Sequence, residues 1–201
     1  MGKKHEQTNK HKIIILCGQS GSGKDTLATK LVNNHFHRVI TNTTRPPRNG
    51  EVDGVDYNFI TDLDFYALIA QNKMIEYRKY NTEFGTWYYG SSVNNIDLTK
   101  HDYVVILTLD AIPKYIDKFG KENCIVFYID CPKSIREKRA QARDPKGFNQ
   151  DEWDRRVITD KIDFANEKII KLCDFKIANY ERPIREVVGE ILKDIKMWKN
   201  G

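Results

Sequence analysis

Two stretches of the 201-residue chain hold residue types whose spacing suits phosphate chemistry. The first is "GQSGSGKDT", residues 18–26, directly after the apolar run "IIILC". Gly18, Gly23 and Lys24 satisfy the GxxxxGK spacing of a P-loop, with a strand before it and a helix after it. In such a loop the backbone N–H groups of Ser20, Gly21, Ser22 and Gly23 turn around a phosphate. The helix start adds positive potential, and Lys24 reaches the terminal phosphates of a nucleoside triphosphate. Asp25 stands where a P-loop usually has Ser or Thr to help hold Mg²⁺. Two readings of it are open. A carboxylate in the first helical turn is favoured by the helix dipole by about 0.3 to 1 kcal/mol. Alternatively it holds Mg²⁺ through a water, with the Thr26 hydroxyl nearby.

The second stretch is "TTRPPRNGEVDGVDYNF", residues 43–59. Arg45 and Arg48 are three apart, close to Tyr57, so two guanidinium forks and a phenol can converge on one doubly charged phosphate. Further along, "MIEY" supplies Glu76 and "TWYYGSS" supplies Tyr89 and Ser91. A carboxylate beside an anion site suits a base that donates from two adjacent nitrogens. A base that turned an unprotonated nitrogen toward the same oxygens would be repelled. A polar site left with unpaired groups by the wrong partner can reject it by roughly 10⁴-fold.

These residues need a frame that brings them together. "KIIILC", "RVI", "YVVILTL", "NCIVFYI" and "FKIAN" read as strands, and residues 24–34, 62–72, 111–119, 132–143, 151–172 and 183–198 read as helices. Near-continuous apolar strands alternating with helices predict an α/β fold with a mainly parallel five-stranded sheet flanked by helices. Ligands of such sheets bind beyond the carboxyl ends of the strands, where residues 18–26 fall. Residues 41–61 and 74–91, rich in Arg, Gly, Tyr and Thr, break the rhythm, as does the loop "DPKGFNQ" at 144–150. These are expected to be lobes inserted on the core.

Composition narrows the classes further. A chain of this length with 40% hydrophobic residues suits one domain with a sizeable core. No stretch approaches the roughly 20 apolar residues of a membrane span, so a cytoplasmic protein without membrane contact is expected. Cys17, Cys124, Cys131 and Cys173 lack CxxC spacing and are expected to be reduced thiols. The net charge of +5 is concentrated in residues 1–12, where four lysines oppose Glu6, so a mobile basic tail explains it better than a nucleic-acid surface does.

Residues 43–59 match in full the pattern TTRxPRxGExxGxDYxF, and the chain closely resembles guanylate kinases from about Lys12 to about Lys193. The resemblance implies a P-loop kinase with a GMP-binding lobe (41–91) and a lid (139–156) on a core of residues 13–40, 92–138 and 157–201. It implies transfer of the γ-phosphoryl of ATP to GMP or dGMP with Mg²⁺, by a monomer or homodimer. Arg45, Arg48, Tyr57 and Tyr89 would hold the GMP phosphate, and Thr41, Glu76, Ser91 and Asp110 would read guanine. Lys24 and Arg45 would act in transfer together with Arg139 and Arg143 of "REKRAQAR" and Arg156 of "DRRV". Asn179 resembles the asparagine near the ATP base.

Several positions are expected to be structural. Arg136, Lys138 and Arg155 read as solvated helix faces and Trp87 and Tyr88 as packing, whereas Asp110, closing a buried strand where a carboxylate without a partner would be costly, reads as functional. The chain departs from the family at Asp25, at Thr108 in place of the first acid of a DxD step, and at "AIPKY" after it. "NTEFGT" adds residues before Tyr89, and Asp144 replaces a glycine in the lid. A catalytically silent binding module and a kinase of another small phosphate acceptor, such as a sugar phosphate, are the alternatives.

Overall fold

Five strands form one sheet in which every pairing is parallel, in the order β2-β7-β1-β8-β9. They are β1 (Ile13–Cys17), β2 (His37–Arg38), β7 (Tyr103–Ile106), β8 (Cys124–Asp130) and β9 (Phe175–Ala178). In this computed structural model the described residues are 11–48, 50–82, 85–143, 145 and 147–200. β1 is buried along its whole length, and its alternate side chains feed two cores because successive residues of a strand point to opposite faces. Ile14 and Leu16 pack with Leu27 and Leu31 of α1 (Lys24–Val32) and Val187 and Ile191 of α7 (Ile184–Asn200). Ile13, Ile15 and Cys17 pack with Ile112 and Tyr115 of α3 (Ile112–Phe119) and Ile169 of α6 (Asn166–Leu172). Helices thus cover both faces, as continuous apolar strands require.

The region that breaks the rhythm is a second sheet. β3 (Asn42–Thr43), β4 (Asn58–Phe59), β5 (Met74–Thr82) and β6 (Gly85–Ser92) run in the order β4-β3-β6-β5. α2 (Asp62–Ala70) follows β4 and is opened by a reciprocal cap between Thr61 and Asp64. The β5–β6 hairpin shifts register between Met74 and Glu76 and from there pairs Glu76 with Ser91 and Arg78 with Tyr89.

Some boundaries differ from expectation. β7 ends at Ile106, three residues short, because Leu107 and Leu109 turn into the core. Asp110 therefore does not close a buried strand; its side chain is 64% exposed and pairs with Arg78. The helix expected over 151–172 is divided into α5 (Gln150–Asp163) and α6, with Phe164 packed against the core at the break. Residues 1–10 of the expected mobile tail and Asp144 lie outside the described residues. Lys12 is fastened, its N–H donating to Asp102 Oδ1 at 2.7 Å and its Nζ to Asn123 Oδ1 at 3.2 Å. All four cysteines are free thiols, three of them buried. Among the described residues no helix is long and apolar enough to cross a membrane.

Candidate active site

The carboxyl ends of β1, β8 and β9 open toward one rim. There the P-loop, α4 (Lys133–Arg143) and Asn179 meet. Gly23 caps α1 at φ +93°, a left-handed conformation that favours glycine, and a Cβ on it would lie 2.4 Å from Asn179 Nδ2. A Cβ on Gly21, at φ +77°, would meet the Arg136 carbonyl oxygen at 2.8 Å. Lys24 Nζ folds into the loop and donates to the Gly18 and Gln19 carbonyls at 2.7 and 3.0 Å. Burial pushes the Lys24 pKa below the ordinary lysine value, against the opposing charges of Asp25 and Asp160. The adjoining cavity, of about 480 Å³, is lined by Ser20, Gly21, Gly23, Lys24, Asp25 and Thr26 on one side and by Arg139, Arg143, Trp153 and Arg156 on the other.

A second cavity, of about 580 Å³, opens on the smaller sheet. Glu76, Arg78 and Tyr80 alternate along β5 and line it together with Trp87 and Tyr89 of β6, while Thr41, Arg48, Tyr57 and Arg156 complete the wall. Glu76 Oε1 accepts from the Ser91 N–H at 3.1 Å and from Ser91 Oγ at 2.8 Å. Burial raises the Glu76 pKa while the two Ser91 donors pull it down, and burial prevails. Arg156 belongs to both walls, so a single guanidinium stands where the two cavities adjoin.

The guanylate kinase family model matches residues 10–179. The chain belongs to the guanylate kinase family. It is 52% identical over 185 residues to a guanylate kinase of Rickettsia typhi, covering 89% of this chain and 92% of that one. It is 41% identical over 188 residues to a guanylate kinase of Neisseria gonorrhoeae, covering 91% and 86% of the two chains. The crystal structure of guanylate kinase from Anaplasma phagocytophilum shares the fold, with a TM-score of 0.64 at 20% identity over 94% of this chain and 86% of that one.

Within this guanylate kinase frame, three residues expected to touch the acceptor lie outside the lining of the cavity on the smaller sheet. Ser91 acts on Glu76 as described. Asp110 pairs with Arg78, which also donates to Thr108 Oγ1 at 2.7 Å. Arg45, only 4% exposed, donates from Nε to Tyr89 OH at 3.0 Å and from Nη2 to Glu51 Oε1 at 2.8 Å, over the rings of Tyr57 and Phe59. The other Glu51 oxygen accepts from the Arg48 N–H at 2.7 Å. Arg45, then the Arg48 N–H, hold the Glu51 carboxyl below its ordinary range. Glu51 thus orients the Arg45 guanidinium and fastens the Arg48 backbone, and it is a fixed position of the 43–59 pattern, so the motif itself carried that signal. Arg78 had none.

Other expectations need correction. Asn179 is buried, donates to the Ser22 carbonyl at 2.7 Å and supports the P-loop from behind, outside the lining of the P-loop cavity. Trp87, expected in the packing, lines the cavity on the smaller sheet, whereas Tyr88 is buried and its hydroxyl accepts from Tyr66 at 2.7 Å. Arg136 is no solvated face: it is 3% exposed and donates to the Ser20 and Cys131 carbonyls at 2.9 and 3.1 Å. Arg155 does lie in solvent, paired with Glu152. Glu152 also accepts from Arg156 Nε at 2.7 Å, and Arg155, then Arg156, hold its carboxyl down to about 2.

Proposed function

We propose that the P-loop cavity takes ATP, that the cavity on the smaller sheet takes GMP or dGMP, and that the γ-phosphoryl passes between them past Arg156. The observation that carries this reading is the shared arginine: both cavities open on one guanidinium. Phosphoryl transfer asks little covalent chemistry of a protein, so alignment and charge neutralisation do the work. Lys24 leaves its two carbonyl partners for the donor phosphates, and Arg139 and Arg143 flank them from α4. On the acceptor side Arg48, Tyr57 and Tyr89 take the monophosphate, with Arg45 held behind Tyr89. Glu76 accepts N1–H and N2–H of guanine, and Thr41 lies beside it on the same wall. No side-chain nucleophile is needed. Water would compete with GMP, so closure of the lid over both nucleotides precedes transfer.

The donor rim suits Mg²⁺ of the ATP complex. Asp25 and Thr26 are neighbouring oxygen ligands on the cavity wall. That is the pattern of an ion held chiefly by phosphates and waters, with one or two protein oxygens. When bound, it would neutralise phosphate charge. Asp25 is 79% exposed and lies 3.7 Å from Arg38, free to turn toward the rim. Asp25→Ala is expected to raise the Mg²⁺ concentration for half-maximal turnover by about 10-fold. An unchanged Mg²⁺ titration would leave Asp25 as a helix-start residue only.

A coupled ADP-release assay across GMP, dGMP, AMP, UMP, CMP and a sugar phosphate tests the whole assignment. GMP and dGMP should accelerate ATP consumption and the others should not. ATP consumption indifferent to GMP would reject it.

A further inference from the structure

A charged pair lies buried beneath the P-loop, outside the lining of both nucleotide cavities. Arg136 of α4 is 3% exposed and Asp160 of α5 is 8% exposed, and Arg136 Nη1 lies 3.5 Å from Asp160 Oδ2. Between them they take both backbone polar groups of one residue. The Ser20 N–H donates to Asp160 Oδ2 at 2.7 Å, and the Ser20 carbonyl accepts from Arg136 Nη1 at 2.9 Å. Ser20 Oγ adds a longer contact to Asp160 Oδ1 at 3.4 Å. Arg136 is held from the far side by the Cys131 carbonyl and by the Trp153 ring, whose centroid is 5.9 Å from its guanidinium carbon.

Stability alone is a poor reason for this arrangement, because apolar residues of similar volume often replace a buried ion pair with no loss. Geometry supplies a better one. Arg139 and Arg143 lie one and two turns beyond Arg136 on α4, and Arg156 lies one turn before Asp160 on α5. All three line the donor cavity, whereas Arg136 and Asp160 do not. The pair therefore pins the two roots of the lid, one on each helix, to the third residue of the phosphate loop. Any slide or roll of α4 or α5 relative to the P-loop must break a bond to Ser20.

We propose that Arg136 and Asp160, closed over the two backbone polar groups of Ser20, are positioning residues that set Arg139, Arg143 and Arg156 in register with the donor phosphates. This rests on the reading of those arginines as transfer residues. The deciding variant is Arg136→Leu combined with Asp160→Ala, which removes both charges and leaves neither unpaired. Its thermal midpoint should fall only modestly, since the Ser20 N–H and the Ser20 and Cys131 carbonyls lose partners but no charge is left unpaired. Its kcat should fall by about 30-fold or more, since displacing reacting groups by about 1 Å can cost about 10²-fold. KM for GMP should change much less than kcat, because Arg156 is the one residue of the acceptor wall that the pair positions.

Arg136→Lys is the second variant. It keeps the charge opposite Asp160 but lacks the planar fork that reaches two carbonyls and a carboxylate together, so kcat should again fall much more than KM for GMP rises. Arg156→Ala in the same assay separates the two levels of the claim. Crippled turnover in Arg156→Ala with parental turnover in Arg136→Leu/Asp160→Ala, or in Arg136→Lys should the double variant not fold, overturns the clamp alone. Parental turnover in Arg156→Ala overturns the lid reading and the clamp with it.

Discussion

Replacing Glu76 with alanine is expected to lower kcat/KM for GMP by roughly 10³-fold while leaving KM for ATP near its parental value. The carboxylate is half-buried, and one of its oxygens is already occupied by the Ser91 N–H and hydroxyl, which fix its plane against β6. What remains for the cavity is acceptor capacity alone, chiefly the free Oε2. A base that donates from two adjacent nitrogens satisfies it, and one that does not leaves a desolvated charge without a partner. Glu76→Gln should cost nearly as much, because its amide keeps an oxygen for Ser91 but turns a donor toward the donors of guanine.

The pH dependence supplies an independent check. Burial raises the Glu76 pKa, so on acidification the carboxyl takes up its proton earlier than an ordinary glutamate would and ceases to accept both guanine donors. KM for GMP should therefore climb as pH falls, beginning above the ordinary carboxylate range. The second ionisation of a phosphate monoester, near about pH 6, also weakens acceptor binding. Glu76→Gln separates the two effects, since its residual profile is that of the phosphate. Superimposable parental and Glu76→Gln profiles would remove Glu76 from guanine recognition.

How far the sequence discloses such a site depends on the separation between its parts. The P-loop and the arginine pair of residues 43–59 are local: spacing, a preceding apolar strand and a following helix are all written within a few residues. The five core strands are legible for a related reason, since strands covered on both faces are apolar throughout. The acceptor sheet carries no such signal. Two of its strands, Asn42–Thr43 and Asn58–Phe59, are too short to have a period. The cavity face of β5 is itself polar, with Glu76, Arg78 and Tyr80, so no apolar alternation marks it.

Pairings across long stretches of chain are hidden altogether. Arg78 meets Asp110, and Arg136 meets Asp160, only because the fold brings separate elements together. In "REKRAQAR", Arg136 has the same local setting as the exposed Lys138, and only the position of Ser20 distinguishes them. Phe164 illustrates the same limit: neither Pro nor Gly marks the break between α5 and α6, which arises because the ring turns into the core. In each case a tertiary contact overrides what the local run of residues favours.

Lys24→Met is expected to lower kcat by about 10³-fold and, at the same time, to raise the thermal midpoint. The first effect follows from the reaction. Charge builds on the oxygens around the transferring phosphoryl, and a preorganised cation in a cavity with little water is worth far more there than in solution. Methionine keeps the length and apolar stem of the lysine and removes only that charge. KM for GMP should change little, since Lys24 lines the donor cavity and not the acceptor cavity.

The second effect follows from the direction of the Lys24 pKa. Burial lowers it in the folded protein, so between the folded and unfolded values the unfolded chain binds the extra proton and stability rises with pH. Below the folded value both states carry the charge, and the folded state bears its full desolvation cost, which methionine abolishes. The parental enzyme should correspondingly lose turnover on the alkaline side as pH rises through the lowered lysine pKa. The Gly18 and Gln19 carbonyls that now hold the ammonium offset only part of that cost, and donor phosphates would offset the remainder. A thermal melt and a turnover assay on the same preparation decide the matter: a midpoint that falls together with kcat would make Lys24 a structural cation, and an unchanged kcat would remove it from the transfer step.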